Sequence, residues 1–208
     1  METTENKILA AAEAEFMQKG FAGAKTVSIA EKAGVTHAML HYYFRTKERL
    51  FQQVYAKKIG EFGNSLLAAL ATPGQTLPQR LRTGVGLHFD FLAANPNLPR
   101  FVINEMVANP ANHALVREHL SPIVAQLATK MQPEADALAE RGDICRVRMT
   151  DILLDIASLN AFIFITMPAL ELVVPDVGGN MAAFLARRRE ENIETIMRRL
   201  APKVEMPV

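Results

Sequence analysis

Residues 33–51 read AGVTHAMLHYYFRTKERLF, and positions 37–43 of that stretch hold two histidines and two tyrosines. Rings with polar tips need a wet edge or a hydrogen-bond partner and so pack poorly in an apolar core. Helical geometry explains the cluster. At about 100° per residue, His37, Ala38, His41, Tyr42 and Arg45 share one face of a helix opening at Thr36. Leu40 and Phe44 share the opposite face, with Met39 and Tyr43 on its shoulder. A face of hydrogen-bonding rings and a guanidinium around a small alanine suits a DNA major groove, some side chains meeting base edges and others phosphates.

The flanks extend the pattern. Upstream of the Gly34–Val35 turn, Thr26 opens a helix carrying Val27, Ile29, Ala30 and Ala33, with Gly34 as its terminator. Before that, Ile8, Leu9, Ala12 and Phe16 recur at helical spacing from Thr4 to Lys19. Gly20 stops that helix, and a Schellman turn would bring Phe21 back against Phe16. Downstream, Thr46 opens a fourth helix whose first residue is Lys47. Free backbone N–H groups and the helix dipole favour an anion there, and a lysine at the same place draws phosphate. Three threonines at 26, 36 and 46 thus each open a helix, which describes a helix-turn-helix unit propped by a first helix.

Composition agrees with a folded, helix-rich chain. Of 208 residues, 50% are hydrophobic and 22% charged, Trp is absent, and Met, Leu, Ile and Ala are plentiful. The net charge of +1 conceals an asymmetry. Residues 1–60 hold nine Lys/Arg against six Glu, so the positive field a polyanion would feel lies at the N-terminal end. A single cysteine, Cys145, cannot close an intrachain disulfide, and no charged-then-apolar leader precedes a cleavage site, so a cytoplasmic setting is expected. The stretch IASLNAFIFITMPAL, 156–170, is shorter than a bilayer core requires and carries Asn160 and Pro168. It reads as a buried protein helix, with no membrane partner.

Residues 7–51 resemble the DNA-binding module of the TetR family of bacterial one-component transcriptional regulators. The resemblance rests on Gly20–Phe21, the IAEKAGVT run, Leu40, Tyr43–Phe44, Thr46–Lys47–Glu48 and Leu50. Three departures stand out. Only Val27 and Ser28 separate Thr26 from Ile29, where the family pattern has three residues. His41 replaces a usual tyrosine, and His37 replaces a common lysine, trading a fixed charge for one that titrates near neutrality. The DNA-contacting set is accordingly Thr26, Ser28, Thr36, His37, Ala38, His41, Tyr42, Tyr43, Arg45 and Lys47.

From residue 47 on, helices follow one another over about 47–71, 77–94, 98–109, 111–141 (with Pro122 and Pro133 inside), 149–174 and 180–200. The resemblance implies an all-α fold of about nine helices, divided into a DNA-binding domain at 1–46 and an effector-binding and dimerisation domain at 47–208. The eighth helix is apolar nearly all round and must be covered on more than one side. Paired with the ninth and with a second copy, as in family members, it would form a dimer interface through Ile156, Ile163, Phe184, Leu185, Ile193 and Ile196. Phe, Met, Ile and Leu mixed with isolated polar groups point to a largely apolar pocket with His88, Phe89, Phe101, Asn104, Glu105, Asn160, Phe164 and Met167 as ligand-binding residues.

No enzyme is expected. His113 and His119 are spaced wrongly for a metal face and lack a third ligand; no nucleophile elbow or phosphate loop occurs; Cys145 beside Arg146 is a lone thiol. Neither cofactor nor metal is called for. The expected protein is a homodimeric repressor, released from a palindromic double-stranded operator by a small hydrophobic effector. The competing readings are an all-helical enzyme or lipid or small-molecule carrier that binds no DNA, and a DNA-binding protein without an effector.

Overall fold

The computed structural model describes residues 3–71 and 73–202, so the extreme ends of the two expected domains and residue 72 lie outside the described residues. These form ten α-helices, nine of them eight residues or longer, a single 3-10 turn at Pro110–Asn112 and no strand. In order they are α1 (Thr4–Gly23), α2 (Thr26–Ala33), α3 (His37–Phe44), α4 (Lys47–Leu70), α5 (Leu77–Ala94), α6 (Asn97–Ala108), α7 (His113–Glu140), α8 (Met149–Val173), the short α9 (Pro175–Gly179) and α10 (Met181–Leu200). The all-α class and the long helices match the sequence reading. Pro122 and Pro133 lie inside α7, which ends at neither.

The chain divides into two compact units. The first comprises Met1–Glu61 and Arg100–His119, the second Phe62–Pro99 and Leu120–Val208.

In the first unit α1 buries Ile8, Ala11, Ala12 and Phe16. It is interrupted at Gly20, whose backbone (φ 66°, ψ 178°) is one that only glycine adopts freely. The break turns Phe21 back toward Phe16, ring centroids 6.5 Å apart. It also lets the Phe21 N–H donate to Glu105 Oε1 at 2.8 Å. A Cβ on Gly20 would lie 2.8 Å from that same oxygen.

Capping corrects one expectation. Thr36 Oγ1 accepts from the Met39 N–H and Thr46 Oγ1 from the Arg49 N–H, each at 3.2 Å, so these two threonines do open helices. Thr26 does not cap α2. The N-cap is Lys25, which makes no side-chain cap bond. Three residues therefore separate the cap from Ile29 after all, but a lysine occupies the place where the family pattern has threonine, and Thr26 is free for another partner.

The second unit is built on α5, α8 and α10. Its main core gathers Leu77, Leu81, Val85, Ile152, Ile156, Ile193 and Ile196, among others; a neighbouring cluster centres on Phe89, Phe164 and Phe184. At Gly86 a Cβ would sit 2.5 Å from Arg189 Nη2. This close approach lets Arg189 of α10 hold Asp90 of α5 through two bonds of 2.8 and 3.0 Å.

The 15-residue apolar stretch lies, as expected, inside a longer helix, here of 25 residues, with mean hydropathy 1.8 in its most apolar window. Length and composition alone would permit a membrane span; the packing of Ile152, Leu153, Ile156, Ile163 and Phe164 into the chain's own core is what a core helix needs. The six side chains expected at a dimer interface are used differently. Ile156, Ile163, Phe184, Ile193 and Ile196 are buried in this single chain, and Leu185 is partly buried against the same clusters. The apolar side chains that α8 leaves outside are Leu154, Phe162, Leu172 and Val173.

Candidate nucleic-acid interface and effector region

The outward face of α3 is as helical geometry requires. Leu40 and Phe44 are buried, while His37, Ala38, His41, Tyr42, Tyr43 and Arg45 are exposed together. Tyr42 is 70% exposed. Its ring meets Tyr43 edge-on at 5.5 Å, and the Arg45 guanidinium lies 6.0 Å from its centroid. Arg45 closes α3 with a positive φ of 62°, a conformation uncommon for a residue with a side chain. The turn lifts the guanidinium beside the rings.

Not every expected contact is free to reach DNA. Thr36 uses its hydroxyl as the α3 cap. Thr26 Oγ1 pairs with His37 Nε2 at 3.1 Å and so ties the start of α2 to the start of α3. Ser28 donates to Glu15 Oε2 at 3.2 Å, facing α1. Lys47 is half-buried, its ammonium 4.7 Å from the Phe21 ring centroid. Held over an aromatic face, it sits at the first residue of α4.

Electrostatics decides which cations face outward. Glu15, fully buried, receives Lys19 Nζ at 2.7 Å and Lys32 Nζ at 2.5 Å. Those hydrogen bonds overcome burial and hold its carboxyl down at about 2. Two of the N-terminal lysines are thus internally compensated. No carboxylate among the described residues pairs with Lys25, Arg45, Lys47 or Arg49, so these carry the positive field around α3.

Solved structures share this architecture. A Rhodococcus sp. RHA1 protein of unknown function aligns over 97% of each chain with a TM-score of 0.70 at 19% identity. The transcriptional regulator FadR from Bacillus subtilis, solved in complex with stearoyl-CoA, aligns over 93% of this chain and 98% of its own, with a TM-score of 0.66 at 18% identity. In sequence, the HTH-type transcriptional repressor NicS of Pseudomonas putida is 29% identical over 166 residues, 76% of this chain and 74% of its own. The HTH-type transcriptional activator FasR of Mycolicibacterium smegmatis is 26% identical over 152 residues, 73% and 69%. The family model for bacterial regulatory proteins, tetR family, matches residues 8–54, from the first buried residue of α1 into α4 and across the whole polar face. Residues 8–54 thus match the TetR-family DNA-binding region. The chain is a DNA-binding transcriptional regulator.

The second unit holds a polar core. There Arg188 Nη2 donates to Asn192 Oδ1 at 3.1 Å. Asn192 Nδ2 donates to the Leu159 carbonyl at 3.1 Å and to Asn160 Oδ1 at 2.9 Å. Asn160 Nδ2 reaches the Val85 carbonyl at 2.9 Å and His88 Nδ1 at 3.1 Å. Burial pushes the His88 imidazole down to about 4, so it is neutral at physiological pH. Phe62 meets its ring edge-on at 6.5 Å.

The structure divides the expected ligand-binding residues. His88, Phe89, Asn160, Phe164 and Met167 all lie in the second unit, where Phe89 and Phe164 contact each other at 5.5 Å. Phe101, Asn104 and Glu105 lie in the first. There Phe101 packs against Phe51 and Tyr55 at 6.2 and 5.7 Å. The Tyr55 hydroxyl, pushed up to about 12 by burial and then by the Glu105 charge, donates to the Val102 carbonyl at 2.8 Å. Glu105 is the acceptor for the Phe21 N–H, and Asn104 is exposed at the rim of a cleft of about 350 Å³ shared with Lys19 and Arg100. All three lie in the unit that contains α1 to α3. Sequence reasoning missed Asn192 and Arg188. A usable signal existed: Asn192 falls on the inward stripe of α10, seven after Leu185 and four before Ile196, where a polar residue needs a partner. Among the described residues no group of three or more His, Cys, Asp or Glu could hold a metal.

Proposed function

We propose that this regulator is a cytoplasmic homodimeric repressor without enzymatic activity, whose two α3 helices read the halves of a palindromic operator. The observation that carries this reading is the face of α3: hydrogen-bonding rings held outward by buried Leu40 and Phe44, flanked by uncompensated Lys25, Arg45 and Arg49. His37, Ala38, His41, Tyr42 and Tyr43 are the candidates for base contact; Arg45 and Lys47 serve phosphate. Residues 1–46 do the reading, and residues 47–208 supply dimerisation and control. The second copy seats on the outer face of α8, through Leu154, Phe162, Leu172 and Val173, and this contact replaces the set read from sequence. The relatives NicS and FasR act with opposite signs; repression is our reading for this chain.

Control comes from a small, mainly apolar effector taken up in the second unit by Phe89, Phe164 and Met167, with His88 and Asn160 to orient it. FadR, solved with stearoyl-CoA, supports the capacity of this fold for such molecules. Effector binding shifts the population of protomer arrangements and so the spacing of the two α3 helices. The direct test is a salt titration on an operator selected from random DNA. Lys47→Ala lowers affinity for all sequences and flattens the log–log salt dependence by about one phosphate. Equal slopes and affinities for wild type and variant would overturn the assignment.

A further inference from the structure

The polar chain in the second unit has a direction, and that direction dictates what the effector must offer. A guanidinium can only donate and a backbone carbonyl can only accept. The Asn192 oxygen must therefore be the atom facing Arg188, and its nitrogen the atom facing the Leu159 carbonyl. The second hydrogen of that nitrogen goes to Asn160, whose facing atom must be oxygen. The other end of Asn160 is then its nitrogen, and the Val85 carbonyl demands the same orientation independently. Both hydrogens of Asn160 Nδ2 are committed, one to Val85 and one to His88 Nδ1. Nδ1 is an acceptor, so the neutral imidazole carries its hydrogen on Nε2.

That N–H has no acceptor among the described residues. His88 is 1% exposed, yet the only fully enclosed side-chain nitrogen or oxygen without a partner among the described residues is Gln75 Oε1. Nε2 is therefore not completely sealed, although the residue around it is 1% exposed. Phe62, beside the ring, packs against the cluster of Phe89 and Phe164. A buried donor aimed from an apolar wall binds strongly to an acceptor and rejects a group that can only donate.

We propose that the effector of this regulator is an apolar molecule bearing an acceptor oxygen, carbonyl or carboxylate, which His88 Nε2–H recognises, and that the Arg188–Asn192–Asn160 relay serves to fix this tautomer. The inference rests on the effector region proposed above. It excludes amines, whose ammonium groups have no lone pair to offer. Burial keeps the ring neutral at working pH, so the donor is present whether or not the solution is mildly acidic.

The test uses full-length protein labelled with 15N-histidine. Long-range proton–nitrogen correlation at neutral pH distinguishes the two imidazole tautomers, and His88→Gln identifies the His88 signals among the five histidines. The expected result is an Nε2–H tautomer with an acceptor Nδ1. An Nδ1–H tautomer or a protonated ring overturns the proposal without touching the effector reading. Three probes of equal chain length are then added: 2-undecanone, undecanoate and 2-aminoundecane. The ketone or the carboxylate is expected to move the His88 Nε2 signal and raise the melting temperature, and the difference between those two tells whether the acceptor must be neutral. Stabilisation by the amine with no response to either oxygen compound overturns the proposal while the pocket stands. If His88 is Nε2–H and none of the three perturbs it, the effector reading itself fails and the proposal falls with it.

Discussion

Helices α3 and α8 are inversions of each other. The first hides Leu40 and Phe44 and shows solvent a row of hydrogen-bonding rings; the second hides an amide, Asn160, and shows solvent Leu154, Phe162 and Leu172. Each inversion marks a surface or site that folding alone does not require. Exposed polar rings cost little to keep and await a polar, charged partner. Exposed large aliphatic and aromatic side chains await an apolar one. A buried amide is tolerated when both its polar atoms are partnered, and Asn160 meets that condition through Val85, His88 and Asn192. Side chains of one chemical kind thus mean different things on the two helices, and burial decides which.

That contrast can be broken by substitution. The largest stability effect is expected at Asn160→Ala, which strands His88 Nδ1 and one Asn192 hydrogen and removes a second bond from the helical Val85 carbonyl. Unpartnered buried groups at about 1–3 kcal/mol each put the loss at about 3 kcal/mol or more, read as a urea midpoint. A loss below about 1 kcal/mol would show that the relay is not tightly coupled. On the opposite face of the same helix, Phe162→Glu should leave the urea midpoint within about 0.5 kcal/mol of wild type but shift the mass in light scattering from dimer to monomer. A variant that stays dimeric would move the proposed interface off this face of α8.

Acidity separates the two units more gently. Glu15 in the first unit is held at about 2 against an ordinary 4.5. Its stabilisation is complete above 4.5 and disappears as pH falls through 2. His88 in the second is held at about 4 against an ordinary 6.5. The unfolded chain therefore binds the His88 proton first, and stability falls as pH drops from 6.5 to 4. Both losses run in the acid direction but in different windows. Urea midpoints across pH should show the upper-window slope flattened in His88→Gln and the lower-window slope flattened in Glu15→Gln. A Glu15→Gln profile parallel to wild type below pH 4.5 would contradict the buried ion cluster.

Local rules carried much of this fold and stopped at identifiable places. The glycine break at Gly20, the turn at Gly34 and the caps at Thr36 and Thr46 depend on neighbours within a few positions, and all were legible. The buried and exposed sides of α3 follow from period alone. Thr26 was misread because a threonine beside a helix start looks like a cap, whereas the backbone places Lys25 there. The six side chains expected at an interface show a limit of the same kind: an apolar stripe says that a face is covered, not whether its own chain or a copy covers it, and here five of the six are buried in the single chain. The bond from the Phe21 N–H to Glu105 was not legible because no local rule links residues 84 apart. Asn192 was missed because its distant partners, Leu159 and Asn160, lie on another helix, α8.

The most direct measurement of the central account is operator binding by Tyr42→Ala. Tyr42 is 70% exposed, and its ring contacts are Tyr43 and Arg45 on the same helix and its cap. Its truncation should leave the thermal midpoint within about 2 °C of wild type, as expected of a surface site away from caps and core. On an operator selected with the wild-type protein, fluorescence anisotropy should show affinity reduced about tenfold or more, as for a lost base contact. Unchanged affinity at unchanged stability would contradict the claim that the outward face of α3 reads DNA.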